Sequence, residues 1–247
     1  MGNLQPHIQL DESIQAKYAL LPGDPARLDR IKPFLTDVVE LAYNREYRSL
    51  KGTYKGIPIL ALSTGIGGAS TAIAVEELSR IGVTAMIRIG SCGTLQPNLK
   101  VGDLLLVHGA VRDDGASKAY IDPKYPAVAD AELLFHCMAA ARDTDSPHLV
   151  GLARSHDSFY TGEEDALYAY WAKQGIYGSD METAALFTIG RLRGIKTASI
   201  LNNVVPYEGD TYESIGSYVD GENAALRGEK NEILVALEAF YRYEKSR

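Results

Sequence analysis

The chain has 247 residues, 46% of them hydrophobic, which suits one large α/β domain spanning residues 1–247 with a well-buried core. Its formal net charge is −7 and it has no basic cluster, so an extended polyanion such as nucleic acid is not expected as a partner. No apolar run reaches the roughly 20 residues that span a bilayer, no leader precedes the first strand, and its two cysteines lie far apart, so we expect a cytoplasmic protein without a membrane partner.

The first predicted elements meet at a corner that suits an anion. Residues 18–21 are an apolar run typical of a short buried strand, and Asp24 followed by Pro25 predicts the N-cap and first position of a helix. The free amide groups of a first helical turn, with Arg27 close by, favour a bound phosphate. An ordinary capped helix with a solvated arginine is the alternative interpretation.

Further strands and helices alternate along the chain. The pattern predicts a mixed, mainly parallel twisted sheet flanked by helices in three layers, an α/β fold in which ligands bind beyond the carboxyl ends of the strands. Residues 112–130 form the longest segment without a regular pattern. Strands are predicted at 57–65, 85–91, 103–111, 148–155 and 197–205, and helices at 69–82, 131–143, 181–194 and 231–245.

Two later strand ends also suit an anion. The glycine turn at 65–68 lets backbone amides approach a ligand, but Ser70 stands where a dinucleotide fingerprint has its third glycine, and a turn that only packs is an equal alternative. Arg88 lies within an apolar run, with Ser91 three residues later. A buried arginine needs an anionic partner, which is either a ligand or a structural salt bridge.

Two carboxylates precede the helix predicted at 181–194. Asp180 and Glu182 stand where acidic side chains favour a helix start, so capping is one interpretation. A carboxylate also accepts hydrogen bonds from paired hydroxyl groups, as on a ribose.

Taken in order, these motifs resemble the nucleoside phosphorylase superfamily, which includes uridine phosphorylase, the hexameric purine nucleoside phosphorylases and methylthioadenosine nucleosidase. The likeness covers nearly the whole chain. The segments LAYNREY and IRIGSCGTLQP look especially like the malaria-parasite type of purine nucleoside phosphorylase. It implies the nucleoside phosphorylase fold. The segments that carry it are PGDPAR, NREY, STGIGG, IRIGSCG, GDLLLVHGAVRDDGAS, YPAVAD, SFYTGEED and DMETAAL.

The resemblance also implies roles for individual residues. Arg88 and Glu182 would be the catalytic residues. A neighbouring subunit would complete the site, so we expect at least a dimer. The full assembly expected from the resemblance is a hexamer built as a trimer of dimers. The residues that would bind phosphate are Gly23, Arg27, Arg88 and Ser91, with Arg45 of the neighbour. The residues that would bind the ribose are Asp180, Met181 and Glu182, with His7 of the neighbour. Phe159 and Tyr160 would bind the base.

At the base end the sequence departs from both patterns. Uridine phosphorylases place a glutamine and an arginine where this chain has Glu163 and Asp165, and ionised carboxylates cannot donate to a uracil carbonyl. These two residues are instead candidates for contact with a base that presents N–H groups.

Purine members of the hexameric type use an aspartate whose place falls near Val204 here. Asn202 and Asn203 lie beside it and are the candidate base-binding amides, while Asp210 is either a substitute or a solvated loop acid.

The sequence therefore predicts a phosphate-dependent nucleoside phosphorylase that releases free base and ribose 1-phosphate, with inosine or guanosine favoured over uridine. Phosphate is the co-substrate, and neither a cofactor nor a metal is expected, because the five histidines lack ligand spacing. Uridine phosphorolysis, a nucleosidase that uses water, and an inactive nucleoside-binding protein remain the alternatives.

Overall fold

The computed structural model describes residues 4–209 and 223–247. Within these ranges the elements follow one another in the mixed order that the sequence predicts. The strands are β1 (Tyr18–Pro22), β2 (Thr36–Asn44), β3 (Tyr47–Tyr54), β4 (Ile57–Leu62), β5 (Ala85–Thr94), β6 (Leu104–Asp113), β7 (Ala127–Val128), β8 (His148–His156), β9 (Ile176–Asp180) and β10 (Lys196–Val205). The helices are α1 (Arg27–Ile31), α2 (Gly68–Arg80), α3 (Gly115–Tyr120), α4 (Ala131–Asp143), α5 (Glu164–Lys173), α6 (Thr183–Leu192) and α7 (Asn223–Lys245).

All the strands belong to one mixed sheet. Strands β4, β1, β5 and β10 are parallel neighbours, and β6, β8 and β9 form a second parallel group. Antiparallel pairing joins β9 to β5 and β6 to β10, so β5, β9, β8, β6 and β10 close into a ring. An antiparallel ribbon of β2 and β3 extends the sheet beyond β4.

Two apolar clusters cover the two faces of the sheet. Alternate residues of β1 supply both, because successive side chains of a strand point to opposite faces: Leu21 packs in the cluster shared with α2 and α6, and Leu20 in the one shared with α1, α4 and α7. The sheet thus lies between helical layers, which confirms the predicted mixed α/β fold. None of the helices in the described ranges is long and apolar enough to cross a membrane.

The structure adds elements that the sequence pattern did not indicate. Strands β2, β3 and β9 and helix α5 were not predicted, and α3 and β7 lie inside the segment taken as irregular. The predicted cap at Asp24 is wrong: α1 begins at Arg27 with Ala26 as its N-cap, and Asp24 instead accepts a hydrogen bond from the Ala26 amide at 2.9 Å. Asp24 therefore shapes the turn before the helix.

Candidate active site

One cavity of about 980 Å³ lies where several strands end. Its walls come from the residues that close or follow β1, β4, β5, β8, β9 and β10, and from the facing side of α5. This is the edge of the sheet at which α/β proteins bind ligands. The strand ends therefore collect the polar side chains that the sequence distributes along the whole chain.

Four predicted phosphate ligands meet at one end of this cavity. Gly23, Arg27, Arg88 and Ser91 all line it, and both arginines are only 5% exposed. The turn after β1 packs against the turn after β4, because a Cβ on Gly23 would lie 3.2 Å from the carbonyl oxygen of Gly65. A glycine is thus required for the close approach that forms this end of the cavity.

Each arginine is paired with two carboxylates. Arg27 Nε donates to Glu229 Oε2 at 3.1 Å, and its Nη1 lies 3.2 Å from Glu232 Oε1 on the same turn of α7. Glu232 is fully buried, and burial raises its pKa to about 8 although the Arg27 charge acts in the opposite direction. The position of Arg27 therefore depends on a carboxyl group that titrates near neutral pH.

Arg88 is held by the carboxylates that precede α6. Its Nε lies 3.1 Å from Asp180 Oδ2 and its Nη2 lies 2.5 Å from Glu182 Oε2. Glu182 also accepts from the Gly67 amide at 2.6 Å, which Gly67 presents from a backbone with φ of 93° that favours glycine. Burial raises the pKa of Glu182, opposed by the nearby Arg88 charge.

Asp180, predicted as a ribose ligand, lines the cavity and is bonded within the protein through both oxygens. Its Oδ1 accepts from Ser155 Oγ at 2.6 Å, and its Oδ2 accepts from the Thr183 amide at 3.0 Å, from Thr183 Oγ1 at 2.6 Å and from Arg88. This carboxylate therefore fixes Arg88 and the first turn of α6. Glu182 is likewise bonded within the protein, to the Gly67 amide and Arg88, and lines the cavity with Met181.

The two residues that the resemblance assigns to a neighbouring subunit lie outside the cavity of their own chain. Arg45 is exposed in the turn between β2 and β3 and has a left-handed backbone with φ of 56°. His7 Nδ1 lies 2.6 Å from Glu77 Oε1, and the backbone amides of His7 and Ile8 also donate to this carboxylate. Glu77 therefore anchors the N-terminal segment to α2.

The cavity contains some of the predicted base ligands but not others. Phe159 and Asp165 line it beside Tyr168. Tyr160 is 81% exposed and Glu163 is exposed, and neither lines the cavity. Of the two predicted base-binding carboxylates, that of Asp165 therefore lines the cavity and that of Glu163 does not.

Asn202 and Asn203 do not reach the cavity, which corrects their prediction as base ligands. Asn202 Nδ2 donates to the carbonyl of Ala225 on α7 at 2.8 Å, and Asn203 Nδ2 donates to the carbonyl of Leu99 at 3.1 Å. Both side chains are at most 1% exposed, so they tie β10 to its surroundings. Asp210 lies outside the described residues.

His156 is one of the polar cavity residues that sequence analysis missed. It ends β8, is 4% exposed and lines the cavity, and its Nδ1 donates to the carbonyl of Ser158 at 2.7 Å. The available signal was a polar residue at the carboxyl end of a strand, directly before the segment that contains Phe159.

Two buried arginines and several aromatic side chains line the same cavity, an arrangement that suits a small anion bound beside an organic molecule. Residues 17–202 match the family model described as the phosphorylase superfamily, and the chain belongs to that superfamily. The resemblance found from the motifs is thereby confirmed.

Three relatives illustrate the relationship. A uridine phosphorylase of Thermococcus kodakarensis is 37% identical over 93% of this chain and 88% of its own. A purine nucleoside phosphorylase of Plasmodium vivax is 39% identical over 81% of this chain and 82% of its own. The crystal structure of uridine phosphorylase from Vibrio fischeri ES114, complexed with 6-hydroxy-1-naphthoic acid, has a TM-score of 0.90 at 48% identity and covers 96% of each chain. The chain is therefore an enzyme of the nucleoside phosphorylase type, a pentosyltransferase.

Proposed function

We propose that this enzyme cleaves 6-oxopurine ribonucleosides with inorganic phosphate, releasing free base and ribose 1-phosphate. The observation that carries the proposal is the pairing of Arg88 with Glu182, which places the anion-binding end of the cavity next to a carboxylate suited to ribose hydroxyls. Arg27, Gly23 and Ser91 complete the phosphate end in the same chain.

The chemistry asks the protein mainly for positioning and charge. Phosphate is the nucleophile, and Arg27 and Arg88 orient it against the anomeric carbon. As the glycosidic bond stretches, positive charge develops on the sugar and is stabilised by the phosphate, while negative charge moves onto the base. Glu182 accepts from the ribose hydroxyls and holds the ring above the phosphate.

We further propose that a neighbouring subunit completes the site with Arg45 and His7. Both lie outside the cavity of their own chain, and Arg45 projects from an exposed turn. A site completed in this way requires at least a dimer. A hexamer built as a trimer of dimers would contain the same contact between two subunits. A cytoplasmic location is proposed as well, with no cofactor besides the phosphate co-substrate.

Asp165 favours a 6-oxopurine over uracil. An ionised carboxylate only accepts hydrogen bonds, and guanine presents two adjacent donors, N1–H and the 2-amino group, to it. Uracil presents one N–H between two carbonyl oxygens, which a carboxylate repels. Guanosine is thus the substrate expected to be used best, followed by inosine.

Uridine is the second candidate, since the Vibrio fischeri enzyme that shares 48% identity with this chain is a uridine phosphorylase. The apolar side of the cavity, which includes Phe159, Val204 and Val205, accepts either type of ring.

The deciding experiment measures base release from guanosine, inosine, adenosine, uridine and thymidine, each with and without phosphate. Release of guanine and hypoxanthine only with phosphate supports the proposal, and preferential release of uracil replaces the purine assignment. Phosphate-independent release identifies a nucleosidase, and no release from any nucleoside favours a binding protein.

Asp165→Asn adds a hydrogen-bond donor at this position. We expect this variant to have a smaller ratio of kcat/KM for guanosine to kcat/KM for uridine than the wild type.

A further inference from the structure

The departing base needs a proton, and the cavity has few groups that could supply it. Burial raises the pKa of the Cys92 thiol and of the Tyr168 hydroxyl, so both hold their protons at neutral pH. Among the described residues that line the cavity, His156 carries the side chain type that most readily exchanges a proton near neutrality.

The local geometry fixes which nitrogen of His156 is free for this role. The Ser158 carbonyl can only accept, so Nδ1 must carry a proton in its 2.7 Å bond to that oxygen. The ring is then oriented by its own chain, and Nε2 is the remaining polar atom of a side chain that lines the cavity.

His156 is close in the chain to an aromatic residue of the cavity wall. It lies three residues before Phe159, which lines the same cavity, whereas the two buried arginines come from α1 and β5. The aspartate position of the hexameric purine enzymes falls near Val204 in this chain, which cannot exchange a proton. Among the described residues that line the cavity, the end of β8 offers a side chain suited to this transfer.

We propose that His156 is a catalytic residue that protonates the departing base through Nε2; this inference rests on the proposed function. The doubly protonated imidazole donates Nε2–H to N7 of the purine while the bond between C1′ and N9 breaks and its electron pair moves into the base. A phosphate oxygen forms the new bond to C1′. The base leaves neutral, and the neutral imidazole regains a proton from solvent. General acid catalysis of this kind contributes about 10²–10⁴-fold to a rate.

The test compares two substrates that differ in their need for that proton. Guanosine must gain a proton at N7 to leave as neutral guanine, whereas 7-methylguanosine already carries a methyl group and a positive charge there. His156→Gln keeps a group that can bond to the Ser158 carbonyl but cannot give up a proton, and His156→Ala removes both functions. Phosphorolysis of both substrates is measured for each variant, with thermal melting as the check of folding.

The expected result is a fall in kcat/KM for guanosine of about 10²–10⁴-fold in both variants, with 7-methylguanosine changed by only about threefold. The matched control is His148→Gln at the other end of β8, since His148 Nδ1 lies 2.8 Å from the Ser146 carbonyl in the same arrangement but does not line the cavity. This control should use both substrates as the wild type does.

Other outcomes overturn the inference. An equal loss with both substrates assigns His156 a structural role, and unchanged guanosine turnover in folded His156→Ala places the acid elsewhere. If the wild type cleaves uridine but no purine nucleoside, transfer to N7 is wrong. No turnover by the wild type with any nucleoside overturns the proposed function itself, a result distinct from a defect confined to the variants.

Discussion

Arg88 lies between Asp180 and Glu182 with 5% of its surface exposed, so its guanidinium stabilises the folded state in addition to its proposed role in phosphate binding. Replacing it with alanine leaves two buried carboxylates without their cation. We expect Arg88→Ala to lower the free energy of unfolding by about 3–5 kcal/mol and to abolish phosphate-dependent turnover. Urea unfolding and initial rates at varied phosphate measure the two effects.

Arg45→Ala is the matched comparison, because Arg45 is exposed and outside the cavity of its own chain. It should change the unfolding free energy by at most about 0.5 kcal/mol while raising the KM for phosphate. Equal stability losses in the two variants would contradict this separation of roles.

Glu232 makes stability depend on pH. Its pKa is raised from 4.5 to about 8 in the folded state because the carboxyl group is buried. The folded protein therefore binds this proton more tightly than the unfolded chain does, and the associated stability is complete below about pH 4.5 and is lost as the pH rises towards 8. We expect the melting temperature of Glu232→Gln to fall less than that of the wild type between these pH values.

The control for this measurement is Glu132→Gln, a charge-neutralising change at an exposed position on α4. It should leave the wild-type pH dependence in place. Parallel melting curves for wild type and Glu232→Gln at every pH would show that Glu232 does not titrate in this range.

At the scale of elements, Asp180 joins the end of β9 to the start of α6. The sequence alone left open whether this carboxylate caps the helix or contacts a sugar. The structure shows that Ser155, Thr183 and Arg88 bond to its two oxygens in a buried cluster.

We therefore expect Asp180→Glu to destabilise this protein by about 1–3 kcal/mol, because the extra methylene must fit among fixed partners. Chemical denaturation measures the loss. Asp143→Glu makes the same change at an exposed position on α4 and should be close to neutral. Increased stability of Asp180→Glu would mean that the cluster has room for the longer side chain.

The elements found from sequence are those with strong apolar patterns, namely β1, β4, β5, β6, β8 and β10 and the long helices. Strand β2 escaped because most of its residues are exposed, and β9 because Gly178, Ser179 and Asp180 give it no apolar alternation. Asn202 and Asn203 were misplaced for a different reason: hydrogen bonds to carbonyls distant in sequence decide where an amide points. Position along a strand predicts an edge of the sheet but not a side chain's partner.

At the scale of the whole molecule, the ribbon that carries Arg45 has the features of a contact surface. Val39 and Tyr43 on β2 are 57% and 67% exposed, and Ile66 beside the cavity is 80% exposed. Exposed apolar side chains grouped around an unpaired sheet edge favour association with another chain. A second copy docked along β2 would cover them and bring its own Arg45 towards this cavity.

This arrangement predicts that two variants with impaired phosphorolysis, assayed at a phosphate concentration below the KM of Arg45→Ala, restore activity when their subunits are mixed. In a dimer of one Arg45→Ala chain and one Glu182→Ala chain, the cavity of the first has its own Glu182 and receives Arg45 from the second. Random assembly should therefore recover roughly a quarter of wild-type activity, since half of the dimers are mixed and each has one intact site of two. Phosphorolysis by co-expressed, co-purified chains measures the recovery.

Co-expression of Glu182→Ala with Arg27→Gln is the control, because both changes affect the cavity of their own chain and no combination restores a site. Activity that stays at the level of the separate variants in both mixtures would show that Arg45 acts within its own subunit.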